Sequence, residues 1–381
     1  MSNKPIRVLH VIGAMDRGGA ESLLMFIFRN IDKTKFSFDF LVNEERECDY
    51  DEEILALGGM IYHIPRFNGA NPGQYLHALR QFFARNHNYD VVHVHIGSTA
   101  VFVIPEAHRY NIYTIAHSHN TNSPISPSEL AFRLISYPTR YLADYYLACS
   151  KQAGTDRFGK DVSNSKHFSV LYNGIDLESY KFSSAYRAQY RNELSISSKV
   201  KAVCHIGRFE DQKNHLFLIE SFYHALKIDP SQELFLIGKG HLENAVRDKA
   251  DSLNISNKVH LLGIRDDIPE LLMAMDMFVF PSKWEGLGIA AIEAQASGLP
   301  CLLSPEIPDI AVCTPYANKL NTIALPNIWG ASISSIQRRN NDDRVDGVAY
   351  VRDAGFDIRN TVKILSVLYE TKPRYTGLRV G

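Results

Sequence analysis

The chain has 381 residues, 45% hydrophobic and 22% charged, with a formal net charge of −1. That length exceeds one ordinary domain and makes two the natural expectation, in a composition ordinary for a globular protein. The near-neutral balance gives no general reason to expect nucleic acid as a partner, and no run approaches the ~18 apolar residues of a membrane span.

The chain starts "MSNKPIRVLHVIGAMDRGG", one short apolar run followed by a polar turn, so no leader peptide is expected. Runs rich in Val, Ile, Tyr and Phe predict strands at Arg7–Ile12, Phe36–Val42, Met60–Pro65, Asp90–His95, Asn111–His119 and Tyr145–Ser150. Between them, "AESLLMFIFRNI" and "GQYLHALRQFFARN" have helical length and apolar spacing. This alternation implies a parallel sheet covered on both faces.

The pattern restarts with strands expected at Lys201–Phe209, Glu233–Gly240, Lys258–Gly263 and Met277–Ser282, separated by "HLFLIESFYHAL" and "IPELLMAM". Two such sets predict an α/β fold of two Rossmann-like, doubly wound domains, with a seam in the interval Asn173–Ser197. The expected division is 1–172, 173–352 and a terminal segment 353–381, which holds one more helix, "IRNTVKILSVLYE", and a frayed polar end. Ligands of such sheets sit beyond the carboxyl ends of the strands, so two facing domains would share a cleft. Five widely spaced cysteines without a CxxC argue against a disulfide framework or a cysteine zinc site and suit a reducing cytosol.

The stretch "WEGLGIAAIEAQASG" (Trp284–Gly298) carries two glutamates in unusual settings. It reads as a glycine-bearing turn and a helix stopped by Gly298 and Pro300. Glu285 then sits on the loop at a strand's carboxyl end, and Glu293 about one turn into the helix. Backbone N–H groups near Gly286, Leu287 and Gly288 favour an anion, while carboxylates accept hydrogen bonds from sugar hydroxyls. Together these describe a nucleotide sugar. The spacing alone equally allows an exposed Glu285 and a Glu293 paired with some Arg or Lys.

"HIGRFEDQKNH" places Arg208 and Lys213 around another turn after a strand, as a bidentate and a point-charge phosphate ligand. A loop with solvated charges reads the same way. In "AMDRGGAES", Gly18 and Gly19 permit close backbone approach before a helix, or simply make a turn; the stretch is neither a Walker loop nor GxGxxG. His93 and His95, and His117 and His119, end two strands. Residues two apart on a strand share a face without automatically reaching one ion, so hydrogen-bonding histidines are expected and no metal.

As an ordered set, "DRGGAE", "HSHN", "NGID", "GRFEDQKN", "IGKG" and the Glu285–Glu293 pair with seven residues between them resemble the family 4 glycosyltransferases over roughly residues 5–370. Within that family the chain looks like bacterial enzymes of capsular and exopolysaccharide synthesis. The resemblance implies a GT-B fold, with the last helix crossing back to an acceptor-side first domain. It implies a retaining transfer from a UDP- or GDP-linked sugar to a saccharide or lipid-linked saccharide acceptor, with no cofactor and no metal. Carried over by position, Arg208 and Lys213 neutralise the diphosphate, Glu293 accepts the ribose hydroxyls and Glu285 holds the donor sugar. Gly18 and Gly19 offer backbone near the phosphates or acceptor, and His117 lines the reaction centre. Trp284 stands where Phe is more usual, and residues 305–335 follow no motif.

Other readings are a nucleotide-sugar epimerase on the same architecture and a non-catalytic sugar-nucleotide-binding partner. An NAD dehydrogenase fits less well, because the glycine fingerprint is missing after the first strand. The segment Ser126–Tyr146, broken at Pro138, combines Leu130, Phe132, Leu134, Ile135 and Tyr137 with Arg133, Arg140 and Tyr141. It either packs on the first sheet or meets anionic headgroups as a peripheral contact on the inner membrane face. The narrower expectation is that Arg133 and Arg140, with one aromatic neighbour, are exposed.

Overall fold

A computed structural model describes residues 4–119, 126–320 and 325–373. The frayed end expected past the last helix, and Asn120 of the "HSHN" stretch, lie outside the described residues. The chain forms two compact units, Met1–Ile175 with Ile358–Gly381, and Asp176–Asp357.

In the first unit, strands β1 (Ile6–Ile12), β2 (Phe36–Val42), β3 (Ile61–His63), β4 (Val91–Val94), β5 (Tyr113–Ser118), β6 (Tyr145–Ala148) and β7 (Phe168–Val170) form one sheet in the order β3-β2-β1-β4-β5-β6-β7. Neighbouring strands pair in parallel throughout. Alternation sends successive side chains to opposite faces. Val8 and Ile12 join one buried cluster with Phe38, Phe40 and Leu365, while Leu9 and Val11 join another with Tyr75, Leu79 and Val103. Both faces are therefore covered.

The terminal helix Ile358–Thr371 supplies Leu365, Leu368 and Tyr369 to the first of those clusters. Its docking explains the glycine of "NGID": a Cβ on Gly174 would lie 2.7 Å from Cα of Ile358 and 2.6 Å from Oγ1 of Thr361. Beside it, the N–H of Ile358 donates to the carbonyl of Ile175 at 3.0 Å. This pairing of the two crossing segments puts Asn173–Ile175 in the first unit, so the seams fall a few residues beyond 172 and 352.

The second unit holds β8 (Lys201–Ile206), β9 (Gln232–Ile237), β10 (Val259–Gly263), β11 (Met277–Phe280), β12 (Cys301–Leu303) and β13 (Ala317–Lys319), in the order β10-β9-β8-β11-β12-β13. These too pair in parallel. β7, β12 and β13 were not expected from the sequence. Asp276 takes Arg187 at 2.5 Å, Arg191 at 3.1 Å and the N–H of Ala202 at 2.8 Å, so the helix Ser184–Glu193 and β8 share one anchor. Strand order reverses between β1 and β4 in one unit and between β8 and β11 in the other. Those reversals mark where doubly wound sheets bind ligands.

Candidate active site

In the second unit, the turns after β8 and β11 flank the reversal point and are tied together. The N–H of Lys283 donates to the carbonyl of Gln212 at 2.8 Å, Nε2 of Gln212 to the carbonyl of Trp284 at 2.8 Å, and Nδ2 of Asn214 to the carbonyl of Pro281 at 3.2 Å. Gly240 of "IGKG" belongs to the same support: a Cβ there would come within 2.6 Å of the Phe209 carbonyl oxygen. Lys213 Nζ lies 2.5 Å from Oε1 of Glu285 and 4.8 Å from the centroid of Phe280. Both members of the pair are largely buried, with side chains 16% and 8% exposed.

Gly286, Leu287 and Gly288 follow, all buried, and Gly288 takes the left-handed conformation (φ 81°) as N-cap of the helix Ile289–Ala296. Leu287 as a whole is 5% exposed. On that helix the half-buried Glu293 accepts a hydrogen bond from Tyr180 Oη at 2.8 Å. Burial pushes its carboxyl up to about 7, although the Tyr180 hydroxyl pulls the other way. Arg208 stands apart: its side chain is 66% exposed and pairs with Glu210 at 3.0 Å. The structure therefore joins Lys213 to Glu285 and leaves Arg208 turned toward solvent. Neither open alternative of the spacing applies, since Glu285 is not exposed and Glu293 is held by a tyrosine and not by a cation.

In the first unit, Gly18 is the extended N-cap of the helix Gly19–Asn30, and its missing side chain leaves room for the Glu21 carboxylate. Across the reversal point, β1, β4 and β5 send histidines to one face. His10 pairs in register with His93. Nδ1 of His10 lies 3.1 Å from Nε2 of His95, whose Nδ1 lies 2.8 Å from Nε2 of His119. His93 Nδ1 meets Tyr369 Oη at 2.8 Å. His117 is buried, stacks on His93 with ring centroids 5.3 Å apart, and neither of its ring nitrogens has a hydrogen-bond partner among the described residues.

Burial holds these rings neutral: His10 is lowered to about 3, His119 to about 4, and His93, His95 and His117 well below the histidine range. Sequence spacing did not require these histidines to meet, but in the fold they do. Ligand nitrogens of His10, His93 and His95 lie within 4.8 Å of one another, as do those of His95, His117 and His119. His10, alone on its strand, brought no signal of this.

Comparison with known proteins identifies the scaffold. The family model described as Glycosyltransferase Family 4 matches residues 17–179, and that described as Glycosyl transferases group 1 matches residues 187–312. EpsF of Bacillus subtilis, whose name assigns it provisionally to the glycosyltransferases, is 30% identical over 374 residues, 97% of each chain. The chain belongs to the family 4 glycosyltransferases.

Two further relatives are less similar. An Escherichia coli protein named UDP-Gal:alpha-D-GlcNAc-diphosphoundecaprenol alpha-1,3-galactosyltransferase is 28% identical over 58% of this glycosyltransferase and 59% of its own length. CapH of Staphylococcus aureus, named a capsular polysaccharide biosynthesis glycosyltransferase, is 21% identical over 96% and 99%. Among solved structures, Anabaena HepE in complex with UDP-glucose superposes with a TM-score of 0.76 at 18% identity, covering 96% of this chain and 100% of that one. That likeness shows the shared α/β fold of two Rossmann-like domains. Tyr180, which holds Glu293, and His10, which completes the histidine row, belong to the two candidate clusters and were missed by sequence reasoning.

Proposed function

We propose that this glycosyltransferase moves a sugar, with retention at the anomeric carbon, from a UDP- or GDP-linked donor to a lipid-linked saccharide in the assembly of a surface polysaccharide. The observation that carries the reading is the pair of laced turns at the carboxyl ends of β8 and β11. They present Lys213, Glu285, the Gly286–Gly288 backbone and Glu293 together. Lys213 and the exposed Arg208 offset charge growing on the diphosphate leaving group. Glu293 accepts the ribose hydroxyls, Glu285 the hydroxyls of the donor sugar, and His117 lines the reaction centre, with Gly18 and Gly19 at the phosphates or acceptor. The reaction needs no cofactor and no metal. HepE supports a UDP-linked donor, the Escherichia coli relative a lipid-diphosphate acceptor and CapH a polysaccharide product.

The reading places the protein in the cytoplasm, at the inner membrane face. Among the described residues no helix is long and apolar enough to cross a membrane. The helix Pro127–Ser136 leaves Leu130 and Leu134 53% and 69% exposed, and the following turn leaves Tyr137 and Tyr141 exposed. Arg140 lies 3.8 Å over the Tyr137 ring, whereas Arg133 is bound to Glu129 at 2.8 Å. The peripheral contact therefore rests on the leucines, the tyrosines and Arg140, because the Glu129 carboxylate offsets the charge of Arg133.

The test is a panel of nucleotide sugars screened for a rise in melting temperature, since a ligand that binds only the folded state stabilises it by mass action. The stabilising donor is then incubated alone and with saccharide acceptors. A transferred sugar is the expected product; an epimerised donor without acceptor would overturn the reading.

A further inference from the structure

A cavity of about 100 Å3 in the first unit is lined by residues from the ends of β4 and β5 and from four helical segments, and apart from His117 its polar lining has no part in the transfer reading. Its polar lining includes His117, His119, Thr139 and Arg157. Oγ1 of Thr139, both ring nitrogens of His117 and Nδ1 of His119 are buried with no hydrogen-bond partner among the described residues. An unmade hydrogen bond on a buried polar group is costly, and four such atoms around one cavity are too many to leave unexplained. A hydroxyl and neutral imidazoles can each donate one hydrogen.

Arg157 adds the charge. It comes from the helix Lys151–Ser163, lies 4.2 Å over the Phe132 ring and donates from Nη1 to Ser136 Oγ at 3.0 Å. Among the described residues no salt bridge reaches it, and Glu129, which acts on it from a distance, is bound to Arg133. Burial lowers its pKa, and the pull of Glu129 and Asp156 in the other direction does not offset it. Space for it is made at Gly97, where a Cβ would sit 3.2 Å from the Phe132 ring and 3.5 Å from Nε of Arg157. Arg157 is half-buried, and a partly desolvated guanidinium left to face a cavity among neutral donors matches an oxyanion.

We infer that this cavity is an anion subsite, in which Arg157, Thr139, His117 and His119 bind a phosphate group carried by the acceptor. Partly exposed His95, Ile96, Gly97 and His119 border it, so a group can enter from the ends of the strands. The assignment to the acceptor rests on the transferase reading, in which Lys213 and Arg208 of the second unit serve the donor; the anion site itself does not.

Inorganic phosphate titrated into the full chain, followed by 31P line broadening and by calorimetry, tests the site without any turnover. Four proteins are compared: wild type, R157M, R157K and the R208A/K213A double variant. Binding should survive in R208A/K213A, weaken by about tenfold or more in R157M, and return in large part in R157K. Should R157M fail to fold, T139V removes one donor and is expected to weaken phosphate severalfold. Equal affinity in wild type and R157M, or no binding to wild type, overturns the subsite. A UDP titration of the same proteins separates the two readings. Loss of UDP binding in R208A/K213A with phosphate binding intact supports both. UDP binding that ignores R208A/K213A contradicts the donor reading and leaves the anion site standing.

Discussion

Nζ of Lys213 lies 2.5 Å from Oε1 of Glu285, joining the turn after β8 to the turn after β11 across the reversal point of the second sheet. A pair this well buried holds its site in shape before any ligand arrives, and truncating one partner leaves the other's charge desolvated. Lys213→Ala is expected to destabilise the protein by roughly 2–3 kcal/mol. Glu285→Gln costs less, and the double variant less than the sum. Urea unfolding of the four proteins measures this cycle; strict additivity would show that the pair is not coupled.

The Tyr180–Glu293 contact predicts two opposite pH effects. The Glu293 carboxyl, at about 7 in the fold, has an ordinary value of 4.5, so the unfolded chain releases its proton first. Stability therefore falls as pH rises from the ordinary value toward 7, by roughly 3 kcal/mol, and levels off above it. Donor affinity moves the other way, because only the ionised carboxylate accepts two ribose hydroxyls. Tyr180→Phe removes the hydrogen bond that favours ionisation and should shift the donor-binding profile upward by about one pH unit. Calorimetric titration of the donor across pH 5.5–8.5 shows whether the shift occurs.

The histidine row predicts acid sensitivity of the first unit. Rings held neutral in the fold, such as His10 at about 3 and His119 at about 4, are protonated first in the unfolded chain. Their contribution is fully present above the ordinary value of 6.5 and is lost as pH falls through it toward the folded values. His10→Phe, set among Phe38 and Phe40, should flatten the decline in melting temperature between pH 6.5 and 4. An unchanged slope would show that His10 is not one of the groups responsible.

The proposed membrane contact is checked by sedimentation with anionic vesicles. Leu134→Glu combined with Tyr141→Glu should abolish binding, and Arg140→Glu should weaken it most at low salt, where headgroup attraction is least screened. Arg133→Glu should change little, given its tie to Glu129. Equal binding by all variants assigns the contact to another surface.

The sheets were legible because long strands such as Phe36–Val42 carry their pattern in seven residues. β7, β12 and β13 have three residues each and, unlike β3 within Met60–Pro65, were not read from the sequence as part of a longer strand-like run. The glycines of "NGID" and "IGKG" were visible as motifs, but the neighbours that require them, Ile358 and Phe209, belong to other segments. Glu285 and Lys213 were legible as candidates and their mutual pairing was not. Tyr180 lies 113 residues from Glu293. Arg157 occupies a helix whose charged neighbours Asp156 and Lys160 make it look like any solvated charge. Chain pattern shows which elements form; only the packing of distant segments shows which charges are left facing a cavity.

The central claim is that the laced turns of the second unit hold the nucleoside diphosphate of a sugar donor. Its most direct test is steady-state transfer from the stabilising donor by wild type and by Lys213→Ala and Arg208→Ala, each first shown to be folded. Loss of a developing-charge contact should lower kcat by about 100-fold or more for Lys213→Ala, with a smaller loss for the solvent-facing Arg208→Ala. Turnover within a fewfold of wild type in both variants would contradict the account.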